Sequence, residues 1–246
     1  MIDKISKERI VISIAVIIAC GFLYALLPGV SRWRTLPSDV SGISMRDCLN
    51  RKIQKTILTY NEKNGPFPTE YWQGSKGLGT TQDIYYKGTL ISKGNPDKSS
   101  YCIGLVFEVF MRAYDDLFFS SLKVGDGSQE DFKIFRKRFY GFTKRTFVDA
   151  LTQSGLGIEV KDFEQARPGD LLQFWRFPSK GSKKGSGHSG IFQEWLRGQQ
   201  NEIVGFTLFQ VSNGTDGIGI GKYYFGTQPN NIDREKTYLV RAVIRK

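Results

Sequence analysis

A single histidine, His188, and only three cysteines occur in these 246 residues, and those scarcities exclude more chemistry than any motif includes. A zinc centre draws three or four ligands chiefly from Cys and His. Cys20 lies in an apolar run, so Cys48, Cys102 and His188 are what is left, with no CxxC or HExxH spacing. No metal site and no other cofactor is expected. A serine-hydrolase elbow also fails, because Gly187-His188-Ser189-Gly190-Ile191 has Ile191 where the final glycine belongs and uses the sole histidine as the variable residue. The glycine-rich run from Gly214 to Gly221 leads into a strand-like KYYF rather than a helix, so no helix N-terminus awaits a phosphate. Acidic residues are outnumbered 24 to 35 by Lys and Arg, a net charge of +11 that favours a polyanionic partner. No RNA-binding consensus, C2H2 pattern or strong helix-turn-helix signal is present, so nucleic acid is not the expected one.

Long apolar runs are also few. The exception is Ile10 to Leu27, 18 residues without a charge behind a basic start of Lys4, Lys7 and Arg9. At 1.5 Å per residue it is just long enough to span a bilayer. The reading is a basic segment over 1–9, a transmembrane signal-anchor over 10–30 and a polar linker over 31–44, with residues 45–246 exported. Ile17-Ile18-Ala19-Cys20-Gly21 is similar to a lipobox, so lipidation at Cys20, or cleavage and secretion, stand as alternatives to a retained anchor. Each places the rest of the chain outside the cytoplasm, where a Cys48–Cys102 disulfide is the bland alternative to a free, reactive Cys102.

Within 45–246 the pattern changes once. Leu49, Ile53 and Ile57 recur at helical steps with Tyr60 beside them, and Asn64-Gly65-Pro66 ends that helix. Residues 67–100 lack a period and read as a long loop with one short strand pair. From Cys102 the apolar positions Leu105, Val106, Val109, Phe110, Ala113, Tyr114 and Leu117 follow helical spacing, with Ser99 or Ser100 as cap. Two further helices follow: a basic one with Phe132, Phe135 and Phe139 on one side, and a second ending near Gly155. The basic helix reads as a solvated face, with contact to an anionic polymer or membrane surface as the alternative. Beyond Gly155 the sequence turns to short β-branched and aromatic runs at 171–175, 189–196, 203–211, 218–225 and 238–244. Helices first and an antiparallel sheet second is α+β architecture, preceded here by the membrane helix.

A cysteine nucleophile needs a thiol, a base and an orienting group, and the chain offers each. Cys102 in a first helical turn sits among free amides that favour a thiolate and an oxyanion. His188, opening a strand, is the candidate base, and Asn213, with Gln210 as alternative, the candidate to hold its imidazole. Tyr71, Trp72 and Tyr101 are candidate substrate contacts, an aromatic loop packed on the core being the bland reading of the first two.

These residues carry a resemblance. Cys102-Ile103-Gly104-Leu105-Val106 resembles the Cys-Ser-Gly-Leu-Val helix start of NlpC/P60-type cysteine peptidases. Arg167-Pro168-Gly169-Asp170-Leu171 is similar to their Pro-Gly-Asp-Leu turn, and Gly187-His188-Ser189-Gly190-Ile191-Phe192 to their His-Val-Gly-Ile-Tyr. The blocks occur in the family's order and span roughly residues 45 to 246. The resemblance implies a papain-like α+β fold and a membrane-anchored hydrolase cleaving amide bonds of peptidoglycan stem peptides through Cys102, His188 and a polar third residue. Its partners would be peptidoglycan or another anionic cell-wall polymer, and the membrane through residues 10–27. A non-catalytic polymer-binding module on the same scaffold is the competing reading. The sequence departs from the family at Tyr101, where Asp is usual, at Ile103, where Ser is usual, and in a long interval between Cys102 and His188.

Overall fold

A computed structural model describes residues 45–60, 79–118, 124, 128–141, 143–212, 215 and 217–244. The anchor, the linker, Cys20, Tyr71, Trp72 and Asn213 lie outside the described residues. Among those described, no helix is long and apolar enough to cross a membrane.

Helix α1 (Met45–Ile57) buries Leu49, Ile53 and Ile57 at the predicted spacing. A short antiparallel pair, β1 (Ile84–Tyr86) and β2 (Thr89–Ser92), turns at Lys87 and Gly88, both at positive φ as a two-residue hairpin requires. Helix α2 (Cys102–Phe118) is the most apolar and packs on α1 and on the sheet. Helix α3 (Gln129–Phe139) points Phe132, Phe135 and Phe139 inward while Arg136, Lys137 and Arg138 load its last turn, where cations complement the helix dipole. Helix α4 (Thr146–Gln153) follows, and its chain turns at Gly155, at positive φ, into the sheet.

The sheet is six-stranded and antiparallel throughout, in the order β3-β8-β4-β5-β6-β7. Its strands are β3 (Gly157–Glu159), β4 (Leu171–Arg176), β5 (Gly187–Arg197), β6 (Ile203–Ser212), β7 (Gly217–Tyr224) and β8 (Ile232–Ala242). Side chains alternate between two apolar layers. Leu171, Ile191, Phe209, Val211 and Val240 join the helices in one core. Leu172, Phe174, Phe192, Leu208 and Leu239 form a second core on the opposite face. That outer layer is closed by a 3-10 turn (Phe163–Gln165), where Phe163 stacks on Trp195 and the Trp195 indole donates to the Phe163 carbonyl at 2.7 Å. The α+β order of elements agrees with the sequence reading. Strand β8 begins six residues before the expected 238, because its first half, IDREKT, carries too much charge to read as a strand.

Candidate active site

Cys102 is the first residue of α2 and a free thiol, so the alternative of a Cys48–Cys102 disulfide does not hold. The expected caps do not act as caps: the Ser99 hydroxyl donates to Asp97, and the Ser100 hydroxyl to the Gly79 carbonyl at 2.5 Å. Tyr101 takes the cap position instead, its carbonyl accepting from the Leu105 amide at 2.9 Å. Tyr101, proposed from sequence as a substrate contact, is also packed against the chain: a Cβ added at Gly79 would sit 1.8 Å from its ring, so only glycine fits there.

The thiol lies against β5 at Ser189. Burial pushes its pKa up from the ordinary thiol value; the Ser189 hydroxyl and the amides of Ile103, Ser189 and Cys102 itself oppose that rise without cancelling it. The amides expected at a helix start are therefore present, but desolvation wins and the resting group is a neutral thiol. The Ser189 hydroxyl is buried and has no nitrogen or oxygen partner, which leaves the thiol as its neighbour.

His188 precedes Ser189 on the same strand, and consecutive strand residues face opposite sides of a sheet. Its ring accordingly lies in the outer layer, centroids 5.7 Å from Phe174 and 6.1 Å from Tyr223. No hydrogen bond joins His188 to Cys102. The expected direct dyad is thus not formed in this geometry, because the register that brings Ser189 to the helix turns His188 away from it.

His188 has a polar partner in Gln210, the alternative candidate; Asn213, the first choice, lies outside the described residues. Gln210 on β6 accepts a short hydrogen bond from His188 Nε2 through its Oε1. The Tyr223 hydroxyl donates to the same oxygen at 2.5 Å, and Gln210 Nε2 donates to Ser212 Oγ at 3.2 Å. With Oε1 as acceptor, the imidazole carries its proton on Nε2 and leaves Nδ1 as the basic nitrogen. Gly221 on β7 makes room for this amide, since a Cβ there would lie 2.1 Å from Gln210 Nε2. Sequence reasoning missed Tyr223 and Gly221. The glycine-rich run was the available signal, as spacing for a large buried polar side chain opposite.

Burial, aided by the charge of Arg176 and opposed by the Gln210 bond, lowers the pKa of His188 from 6.5 to about 4. The folded protein thus binds this proton less readily than the unfolded chain. The associated stability is fully present above pH 6.5 and is lost as pH falls toward about 4, up to about 3 kcal/mol in total. We expect His188→Gln to flatten this decline. Urea midpoints of both proteins at pH 7 and pH 4.5 test it, and parallel declines would contradict the assignment.

Among the described residues, no group of three or more His, Cys, Asp or Glu is arranged to hold a metal ion. No family model, no curated protein and no solved structure matches this chain.

Proposed function

We propose that this protein is a cysteine hydrolase of amide bonds with a papain-like NlpC/P60 arrangement, held at the membrane through residues 10–27 and acting on peptidoglycan stem peptides outside the cytoplasm. The observation that carries the reading is the bond from His188 Nε2 to the Gln210 amide oxygen, which orients the sole imidazole and reserves Nδ1 as a base. A helix-start cysteine with backbone amides at its sulfur supports it.

In the proposed reaction the Cys102 thiol leaves Ser189 and passes its proton to Nδ1. The thiolate attacks the amide carbonyl, amides at the start of α2 hold the oxyanion, and the C–N bond breaks as Nδ1–H protonates the departing nitrogen. Water, deprotonated by Nδ1, then cleaves the thioester and restores the thiol. Substrate entry has to bring thiol and imidazole together, which gives the alternative its footing. A thiol held neutral by burial, with no bond to the histidine, equally suits a polymer-binding module that does no chemistry.

Release of new amino groups from purified peptidoglycan by the full chain separates the two. The hydrolase predicts release that falls at least ~100-fold in both Cys102→Ser and His188→Ala with folding retained. Gln210→Ala should lower the rate more than Asn213→Ala. No release by the wild type, with salt-sensitive polymer binding unchanged in Cys102→Ser, would establish the module instead.

A further inference from the structure

We propose that Arg176, at the end of β4, is an anion receptor that selects a substrate carrying a carboxylate beside the bond presented to His188. This deepens the hydrolase reading and rests on it for the word substrate, but not for binding.

Arg176 and His188 share the same two rings. The guanidinium lies 5.1 Å from the centroid of Phe174 and 5.5 Å from that of Tyr223, the rings that the imidazole also contacts. Stacking on two aromatic faces fixes a flat cation in place without neutralising it. One fork nitrogen, Nη1, donates to Ser186 Oγ at 3.3 Å, and the backbone amide of Arg176 donates to the Ser186 carbonyl. No carboxylate pairs with Arg176 among the described residues, in contrast to Arg145, which holds Asp149 and Glu159, and to Arg197 and Arg241, which hold one each. Such a fork is suited to a planar two-oxygen anion.

The hairpin around it has the same sign. Between Asp170 and Glu194 there is no acidic residue, while Lys180, Lys183 and Lys184 stand exposed in the loop joining β4 to His188's strand. They form no ion pair among the described residues. The loop itself therefore presents only positive charge to an arriving carboxylate. His188 is faced by Phe174, Tyr223, Gln210 with Ser212 behind it, and Arg176, so among the described residues Arg176 is the charge that acts on the imidazole, while Cys102 lies beyond Ser189. The cation also lowers the His188 pKa, and an anion bound to it would relieve that effect.

The single histidine makes its ring nitrogens the natural reporter. The test uses full-length Cys102→Ala carrying ring-15N histidine, titrated with acetyl-Ala-Ala-Ala bearing a free C-terminal carboxylate and with its C-terminal amide. The acid should bind at least ~10-fold more tightly than the amide, as a charge-assisted pair requires. Arg176→Gln should erase the difference and Arg176→Lys keep part of it. Without ligand, Arg176→Gln should raise the His188 pKa, while Lys180→Gln leaves it in place. Equal affinities, retained discrimination in Arg176→Gln, or no binding of either peptide up to ~10 mM would overturn the proposal. Because Cys102→Ala turns nothing over, discrimination here together with no peptidoglycan release by the wild type would remove the hydrolase and leave the anion receptor standing.

Discussion

We expect Glu108→Ala to destabilise the protein by about 3–5 kcal/mol, read as a lower urea midpoint with an unchanged slope. Glu108 is 0% exposed, inside the apolar stripe of α2, and its carboxylate ties two separate pieces of chain to that helix, Tyr60 and the Thr81-Gln82 segment. Oε1 accepts from the Tyr60 hydroxyl at 2.7 Å, the Thr81 hydroxyl at 2.7 Å and Gln82 Nε2 at 2.8 Å, while Oε2 accepts from the Thr81 amide at 2.6 Å. Truncation strands several buried donors at once, each costing about 1–3 kcal/mol, with partial relief as water enters the gap. Glu108→Gln is milder, because its new amide faces the Thr81 amide, donor against donor, while the other oxygen keeps its partners. A change below about 1 kcal/mol in Glu108→Ala would show the network to be dispensable. The same network sets the segment from Gly79 to Gln82, which buttresses Tyr101 at the mouth of the Cys102 helix. Amino-group release by the proposed hydrolase should therefore fall in Glu108→Gln even where folding survives.

The second large effect is at Asp170, also 0% exposed. Its carboxylate accepts from Asn50 Nδ2 at 2.7 Å, from the Arg167 amide at 2.8 Å, and from Arg241 Nε and an NH2 group at 3.0 and 2.9 Å. It thereby fastens α1, the turn before β4 and the end of β8. Asp170→Ala leaves Arg241, 17% exposed, without its counter-charge, and the expected cost is about 3–5 kcal/mol. Because the pair is shielded from solvent, that cost should change little between low and high salt, unlike the exposed pair of Lys133 with Glu130. Thermal or urea unfolding of both variants at two ionic strengths checks this. A loss that vanishes in high salt would mean that Asp170 acts through long-range charge and not through its bonds.

Neither carboxylate announced its partners in the sequence. Asp170 reads as the polar end of a Pro-Gly-Asp turn whatever the fold, and nothing local says that Asn50 and Arg241 converge on it. Glu108 left a clearer trace: it falls three residues after Leu105 and one before Val109, a charge set within an apolar helical stripe. Such a charge needs a buried partner set, and the Gly- and Thr-containing segment supplying it lies in the stretch that shows no period.

Helices were legible because their signal is local. Leu49, Ile53 and Ile57, or Phe132, Phe135 and Phe139, repeat within one turn of each other, and burial of that stripe depends little on what covers it. The β-rich second half was legible for a similar reason, through alternating β-branched and aromatic runs. Residue type and chain order alone also limited the chemistry to the thiols of Cys48 and Cys102 and one imidazole. Which way Cys102 and His188 face was decided by pairing. Ser189 opposes Gln173, and His188 opposes Phe174, so Ser189 meets the Cys102 helix and His188 joins Phe174 and Tyr223 on the other side. A register shift of one residue would reverse that assignment without altering the hydrophobic pattern by more than one place. The choice of Gln210 as the imidazole's partner is of the same kind. It follows from β6 lying between β5 and a glycine-lined β7, a neighbour relation between distant segments that no local pattern encodes.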